Sequence, residues 1–130
     1  MNKVAIVHSG YYPEITENLL KGINKDIDKV FDLSLFKVPG SWDIVYKINT
    51  LSKEYNIFIA VGVICKGETD HYEYISNAVA NGLINLSINN SVYIANCVLN
   101  VQNLEQAINR TIDSNNKGSE AAKAINLLFT

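Results

Sequence analysis

At 130 residues, 48% of them apolar and 18% charged, the chain has the make-up of one folded domain over residues 1–130 and not of a disordered segment. A net charge of −2 leaves no broad basic face for nucleic acid or an anionic membrane, so an anionic ligand must be held by a few placed groups. The longest apolar run, Ile57 to Cys65, is about half of a membrane span, and the opening MNKVAIV carries no cleavable signal pattern.

Lys3 to His8 is a short apolar run rich in β-branched residues, which predicts a strand. Ile15, Leu19, Ile23 and Ile27 recur four apart, predicting an amphipathic helix that starts near Pro13. Phe31 to Val38 alternates with period two, as a second strand does, and Pro39-Gly40 breaks it. Ile44, Val45, Ile48 and Leu51 then form a helical stripe. Asn56 to Ile64 is continuously apolar, as expected of a central parallel strand buried on both faces. Ile75, Val79, Leu83 and Leu86 return to helical spacing, and Ser91 to Leu99 predicts a fourth strand. Asn103 to Asn115 and Gly118 to Phe129 supply one or two closing helices. Strand–helix alternation with short connections predicts an α/β fold, a three-layer αβα sandwich of the flavodoxin-like kind with a four-stranded parallel sheet and helices on both faces. Cys65 and Cys97 both fall in strand runs without metal-ligand or CxxC spacing, as expected of buried, reduced thiols in a cytoplasmic protein.

Ligands of such sheets bind beyond the carboxyl ends of the strands, so four exits carry the functional question. The third, VICKGETDHYEY, holds the densest chemistry. Asp70 followed three residues later by Glu73 reads as an N-cap with its capping-box partner, which puts His71 in the first helical turn. Gly67 lets backbone approach a ligand, and the amides near Glu68 and Thr69 precede a helix N-terminus, a setting that suits phosphate. An imidazole beside such an anion site is a proton-transfer pair, although a capped helix carrying a solvated histidine accounts for the same residues. At the second exit Ser41, Trp42 and Asp43 could hold a polyol or heterocycle, or the tryptophan could simply anchor the core. Tyr11 and Tyr12 offer a flat face at the first exit. Arg110, the chain's single arginine, is either a phosphate fork or half of a surface ion pair.

Taken together these exits resemble the lumazine synthase family. VPGSWDI (Val38 to Ile44) is similar to its Val-Pro-Gly-small-aromatic-acidic-Ile motif, and GVICKGETDHYEYI (Gly62 to Ile75) to its Gly-Glu-Thr-x-His motif. NLEQAINR (Asn103 to Arg110) and NNKGSEAA (Asn115 to Ala122) are similar to its two C-terminal signatures. The match runs in order along almost the whole chain.

The resemblance implies condensation of 5-amino-6-(D-ribitylamino)uracil with 3,4-dihydroxy-2-butanone 4-phosphate, without cofactor or metal. It implies that Tyr11 stacks on the pyrimidine, that Ser41, Trp42 and Asp43 receive the ribityl chain, and that backbone groups of Val63, Ile64 and Cys65 read the pyrimidine edge. Glu68, Thr69 and Arg110 would hold the phosphate, and His71 would move protons. It further implies a homo-oligomer, a pentamer or twelve pentamers in a sixty-subunit shell, in which Arg110 and the residue at Asn96 enter the site from an adjacent subunit. Asn96 stands where the family has an aromatic, Asp43 where glutamate is usual, and Tyr12 where Asn or His is frequent. A non-catalytic flavin- or lumazine-binding relative and an archaeal-type riboflavin synthase are the alternatives, the second lacking a phosphorylated substrate to explain the Gly-Glu-Thr-x-His motif.

Overall fold

The computed structural model describes residues 2–68 and 70–130. Four strands, β1 (Lys3–Ser9), β2 (Asp32–Val38), β3 (Ile57–Cys65) and β4 (Tyr93–Val101), alternate with α1 (Pro13–Asp26), α2 (Ile44–Leu51), α3 (Tyr72–Asn90), α4 (Leu104–Asn109) and α5 (Lys117–Phe129). The sheet is parallel throughout in the order β2-β1-β3-β4. The predicted αβα sandwich is the observed one, with two closing helices.

Parallel strands alternate their side chains between two covered faces, so each face builds its own half-core. On one, Val4, Ile6, Ile59 and Val61 pack under Ile15, Leu19 and Ile23 of α1 and Ala121, Ala122 and Ile125 of α5. On the other, Ala5, Val7, Phe58 and Ala60 meet Ile44 and Ile48 of α2 and Val79 and Leu83 of α3. All nine residues of β3 are buried, which is why that stretch shows no polar alternation.

The α1–α5 contact is unusually close. A Cβ on Gly118 would stand 2.1 Å from the Leu19 carbonyl oxygen, and one on Gly22 would stand 2.1 Å from the Asn116 side-chain oxygen. Asn116 fills the crossing: its amide group donates to the carbonyls of Asn18 (3.1 Å) and Thr111 (2.9 Å), while its oxygen caps α5 by accepting from the Ser119 amide at 3.1 Å.

His8 lies on β1 between Lys37 of β2 and Val61 of β3. Burial, and then the Lys37 charge, pulls its imidazole below the ordinary value of 6.5. The unfolded chain therefore takes up a proton at a pH where the folded chain stays neutral, so stability rises with pH through that window and falls as the pH drops below 6.5. We expect the melting temperature to fall between about pH 7 and pH 5 in the wild type, and less steeply in a His8→Gln variant. Parallel pH profiles would exclude His8 as a source of that slope.

Burial also pushes the Cys97 thiol up to about 12, so it stays protonated at neutral pH and acts as a small apolar side chain. Among the described residues, no helix is long and apolar enough to cross a membrane.

Candidate active site at the carboxyl edge of the sheet

The chain steps outward from β1 to β2, then back past β1 to β3, so the order reverses between β1 and β3. At such a reversal neighbouring connections leave in opposite directions and open a crevice. A cavity of about 370 Å³ sits there, lined by residues of three exits. Tyr11 and Tyr12 come from the first, Pro39 to Asp43 from the second, and Val63 to Cys65 with Glu68 from the third, joined by Ile75 of α3.

Local hydrogen bonds shape each wall. The Gly10 amide donates to the Val38 carbonyl at 2.8 Å, tying the first exit to the second. The Tyr11 amide donates to the Ser9 hydroxyl at 3.1 Å, and the Thr16 hydroxyl donates back to the Tyr11 carbonyl at 3.3 Å. At the second exit the Asp43 carboxylate accepts from the Gly40 amide at 3.0 Å, so one of its oxygens braces the turn and the other makes no hydrogen bond among the described residues. Ser41 is buried, with its hydroxyl 3.5 Å from the Val63 carbonyl oxygen. That approach needs Gly62, because a Cβ there would lie 2.5 Å from the Ser41 oxygen. Gly67, by contrast, has ordinary room: a Cβ would meet only the Gln102 carbonyl oxygen, at 3.7 Å.

Trp42 is the partition between two spaces. It lines the main cavity and, with His71, Tyr74 and Ile75, a neighbouring one of about 330 Å³. Its indole stacks on Tyr74 with centroids 6.1 Å apart and planes at 20°. His71 therefore borders the cavity across Trp42 and Ile75, two shared residues, and does not line it. Tyr11 and Trp42 remain 65% and 55% exposed, so the chain by itself leaves both aromatic walls open to solvent.

The predicted cap of α3 is corrected. Residues Lys66–Glu68 continue from β3 as a 3-10 turn, which delays the helix: it begins at Tyr72, and the N-cap is His71. Asp70 lies in the preceding turn, and among the described residues no side-chain hydrogen bond caps the helix. Thr69 lies outside the described residues.

Asn96 and Arg110 stand apart from this cavity. They line a different one, about 430 Å³, along β4 beside Lys117 and Glu120, and the two cavities have no residue in common. The Arg110 guanidinium donates to the Gln106 carbonyl at 2.9 Å, and the Asn96 side chain accepts from the Val98 amide at 2.9 Å. Lys117, whose ammonium lies 3.1 Å from the Glu120 carboxylate, was not singled out from the sequence. Its position inside NNKGSEAA was the available signal. Tyr12, expected as a flat face at the first exit, does line the cavity, whereas Pro39 and Ile75 were missed as walls because they also serve a turn and a helix stripe.

The family model for 6,7-dimethyl-8-ribityllumazine synthase matches residues 1–129. Curated proteins of that name are similar over nearly the full chain. The one from Buchnera aphidicola subsp. Baizongia pistaciae is 41% identical over 127 residues, covering 92% of this chain and 80% of the relative. That from Deinococcus radiodurans is 33% identical, with 95% and 84% covered, and that from Zymomonas mobilis 33% identical, with 99% and 95% covered. Neither alternative raised by the sequence is favoured by these matches. With motif residues of the second and third strand exits lining one crevice and the family model spanning residues 1–129, the protein belongs to the 6,7-dimethyl-8-ribityllumazine synthase family.

Proposed function

We propose that the chain is a transferase of riboflavin biosynthesis that joins 5-amino-6-(D-ribitylamino)uracil to 3,4-dihydroxy-2-butanone 4-phosphate. The products are 6,7-dimethyl-8-ribityllumazine, one phosphate and two molecules of water. The observation that carries this reading is the family match over residues 1–129, with Pro39 to Asp43 and Val63 to Cys65 of its motifs lining one cavity.

In this scheme the pyrimidine lies on Tyr11, and the ribityl chain runs past Ser41 and Trp42 to the free oxygen of Asp43. Backbone groups of Val63, Ile64 and Cys65 read the ring edge. Glu68 and Thr69 cradle the phosphate near the start of α3, where helix amides favour an anion. The amine attacks the butanone carbonyl to form an imine, phosphate leaves, and ring closure follows. His71 takes and returns the protons these steps require. Holding two reactants in register supplies much of the acceleration by replacing a bimolecular encounter with an internal reaction.

Arg110 and Asn96 lie on a surface that shares no residue with the main cavity, so in this scheme they complete the site of a neighbouring copy. A homo-oligomer with the pentamer as its unit, as the family resemblance implies, is part of this reading. The exposed apolar side chains Tyr74, Ile84 and Ile88 along one side of α3 support such an assembly. A cytoplasmic location is supported by two buried, unpaired cysteines.

The purified chain mixed with both substrates should release phosphate and form the lumazine chromophore faster than the uncatalysed mixture. Its mass in solution should be a multiple of the monomer. Turnover no faster than the background mixture would overturn the enzymatic assignment, and an active monomer would overturn the shared site.

A further inference from the structure

Tyr12 carries a backbone that its own chemistry opposes. Its φ and ψ are 51° and 61°, the left-handed region, which a bulky L side chain rarely adopts. It also precedes Pro13, and a residue before proline is pushed toward extended conformations. Two neighbours hold it there. The Ser9 and Thr16 hydroxyls pin Tyr11 on both sides of its peptide unit, and the Tyr12 carbonyl accepts the first helical bond of α1, from the Thr16 amide at 3.1 Å. Strain of this kind persists where surrounding structure over-determines it, and it gathers at ligand sites.

The conformation has a visible result. It turns the ring inward, where Tyr12 lines the main cavity, packs against the core beneath α1 and stands 6.0 Å from the Tyr11 ring with planes at 47°. Burial, followed by the nearby Glu68 and Cys65, pushes its phenol above 10.0, so the group is a proton donor at neutral pH. Its hydroxyl makes no hydrogen bond to any described residue, although Glu68 and Cys65, both cavity residues, are close enough to act on it. A donor placed in a cavity wall at conformational expense, and bonded to no described residue, is available to an acceptor on the ligand.

We infer that Tyr12 is a specificity-determining residue whose phenolic hydroxyl donates to a carbonyl or ring nitrogen of the pyrimidine stacked on Tyr11, and that its left-handed backbone exists to aim it. This rests on the lumazine-forming activity proposed above. In this placement the hydroxyl meets the heterocyclic substrate, so its loss should act chiefly on that reactant.

The test compares Tyr12→Phe, Tyr12→Ala and Tyr12→Asn with the wild-type chain. Tyr12→Phe keeps ring and backbone. It should melt within about 2 °C of wild type and raise KM for the ribitylaminouracil about tenfold, with kcat and the KM of the butanone phosphate within about twofold. Both Tyr12→Ala and Tyr12→Asn lose the ring, but asparagine accepts the left-handed conformation, so Tyr12→Asn should melt several degrees above Tyr12→Ala. An unchanged pyrimidine KM in Tyr12→Phe, or equal melting of the alanine and asparagine variants, would overturn the inference. Wild-type turnover reads the proposed activity separately. If it is absent, fluorescence titration with 6,7-dimethyl-8-ribityllumazine replaces KM in the same comparison, and equal affinities of wild type and Tyr12→Phe, or no binding by either, would overturn the role of Tyr12.

Discussion

Gly118→Ala is expected to lower folding stability by about 3 kcal/mol, the upper part of the range for forcing a methyl group into a packed interior. The added carbon would fall 2.1 Å from the Leu19 carbonyl oxygen and 2.9 Å from its carbon, and these are backbone atoms that no rotamer change can move aside. Relief requires α1 and α5 to separate. Separation would stretch the Asn116 bond to the Asn18 carbonyl and disturb the cap on Ser119, so the loss spreads beyond one contact. It would also loosen the half-core in which Leu19, Ala122 and Ile125 are completely buried. With total stabilities of about 5–15 kcal/mol, such a change consumes a large share of the margin. The check is a urea melt with the midpoint and slope compared to wild type. An unchanged midpoint would mean that the two helices can part freely.

His71→Ala is expected to lower kcat by about 10²-fold, the lower end of what a placed proton-transfer group contributes, while KM for either substrate moves little. The side chain stands at the start of α3 beside Trp42 and Ile75, at the border of the main cavity. Since that position is exposed and outside both half-cores, the melting temperature should stay near wild type. Steady-state kinetics with each substrate varied in turn would measure it. A variant with undiminished kcat would remove His71 from the chemistry and leave positioning as the source of rate. Gly118 and His71 thus separate two kinds of damage, one to the scaffold and one to the reaction.

What the sequence could and could not reveal follows from the range of the forces involved. The continuous apolar run of β3 and the four-residue spacing of Ile15, Leu19 and Ile23 report burial directly, so strand and helix were legible there. Gathering three exits into one crevice was legible as well, because parallel topology puts all strand ends on one edge. The start of α3 was not. Asp70 and Glu73 have cap spacing, but the 3-10 turn at Lys66–Glu68 used up residues first, and nothing local distinguishes that turn from a loop. Asp43 bracing the Gly40 amide was likewise hidden behind its more obvious use as a ligand group. The left-handed backbone of Tyr12 is the hardest case. Tertiary contacts impose it against local preference, and a search for glycine or asparagine passes over it.

The indole between the two cavities has a practical consequence. Trp42 is the chain's single tryptophan, half-exposed, stacked on Tyr74 and facing both spaces. Excited beyond the absorption of the tyrosines, its emission therefore comes from one place, at the mouth of the crevice. Any aromatic guest that enters must change the polarity around that ring or accept its excitation energy. The protein carries its own optical reporter of occupancy, and binding can be followed on the unlabelled chain in real time.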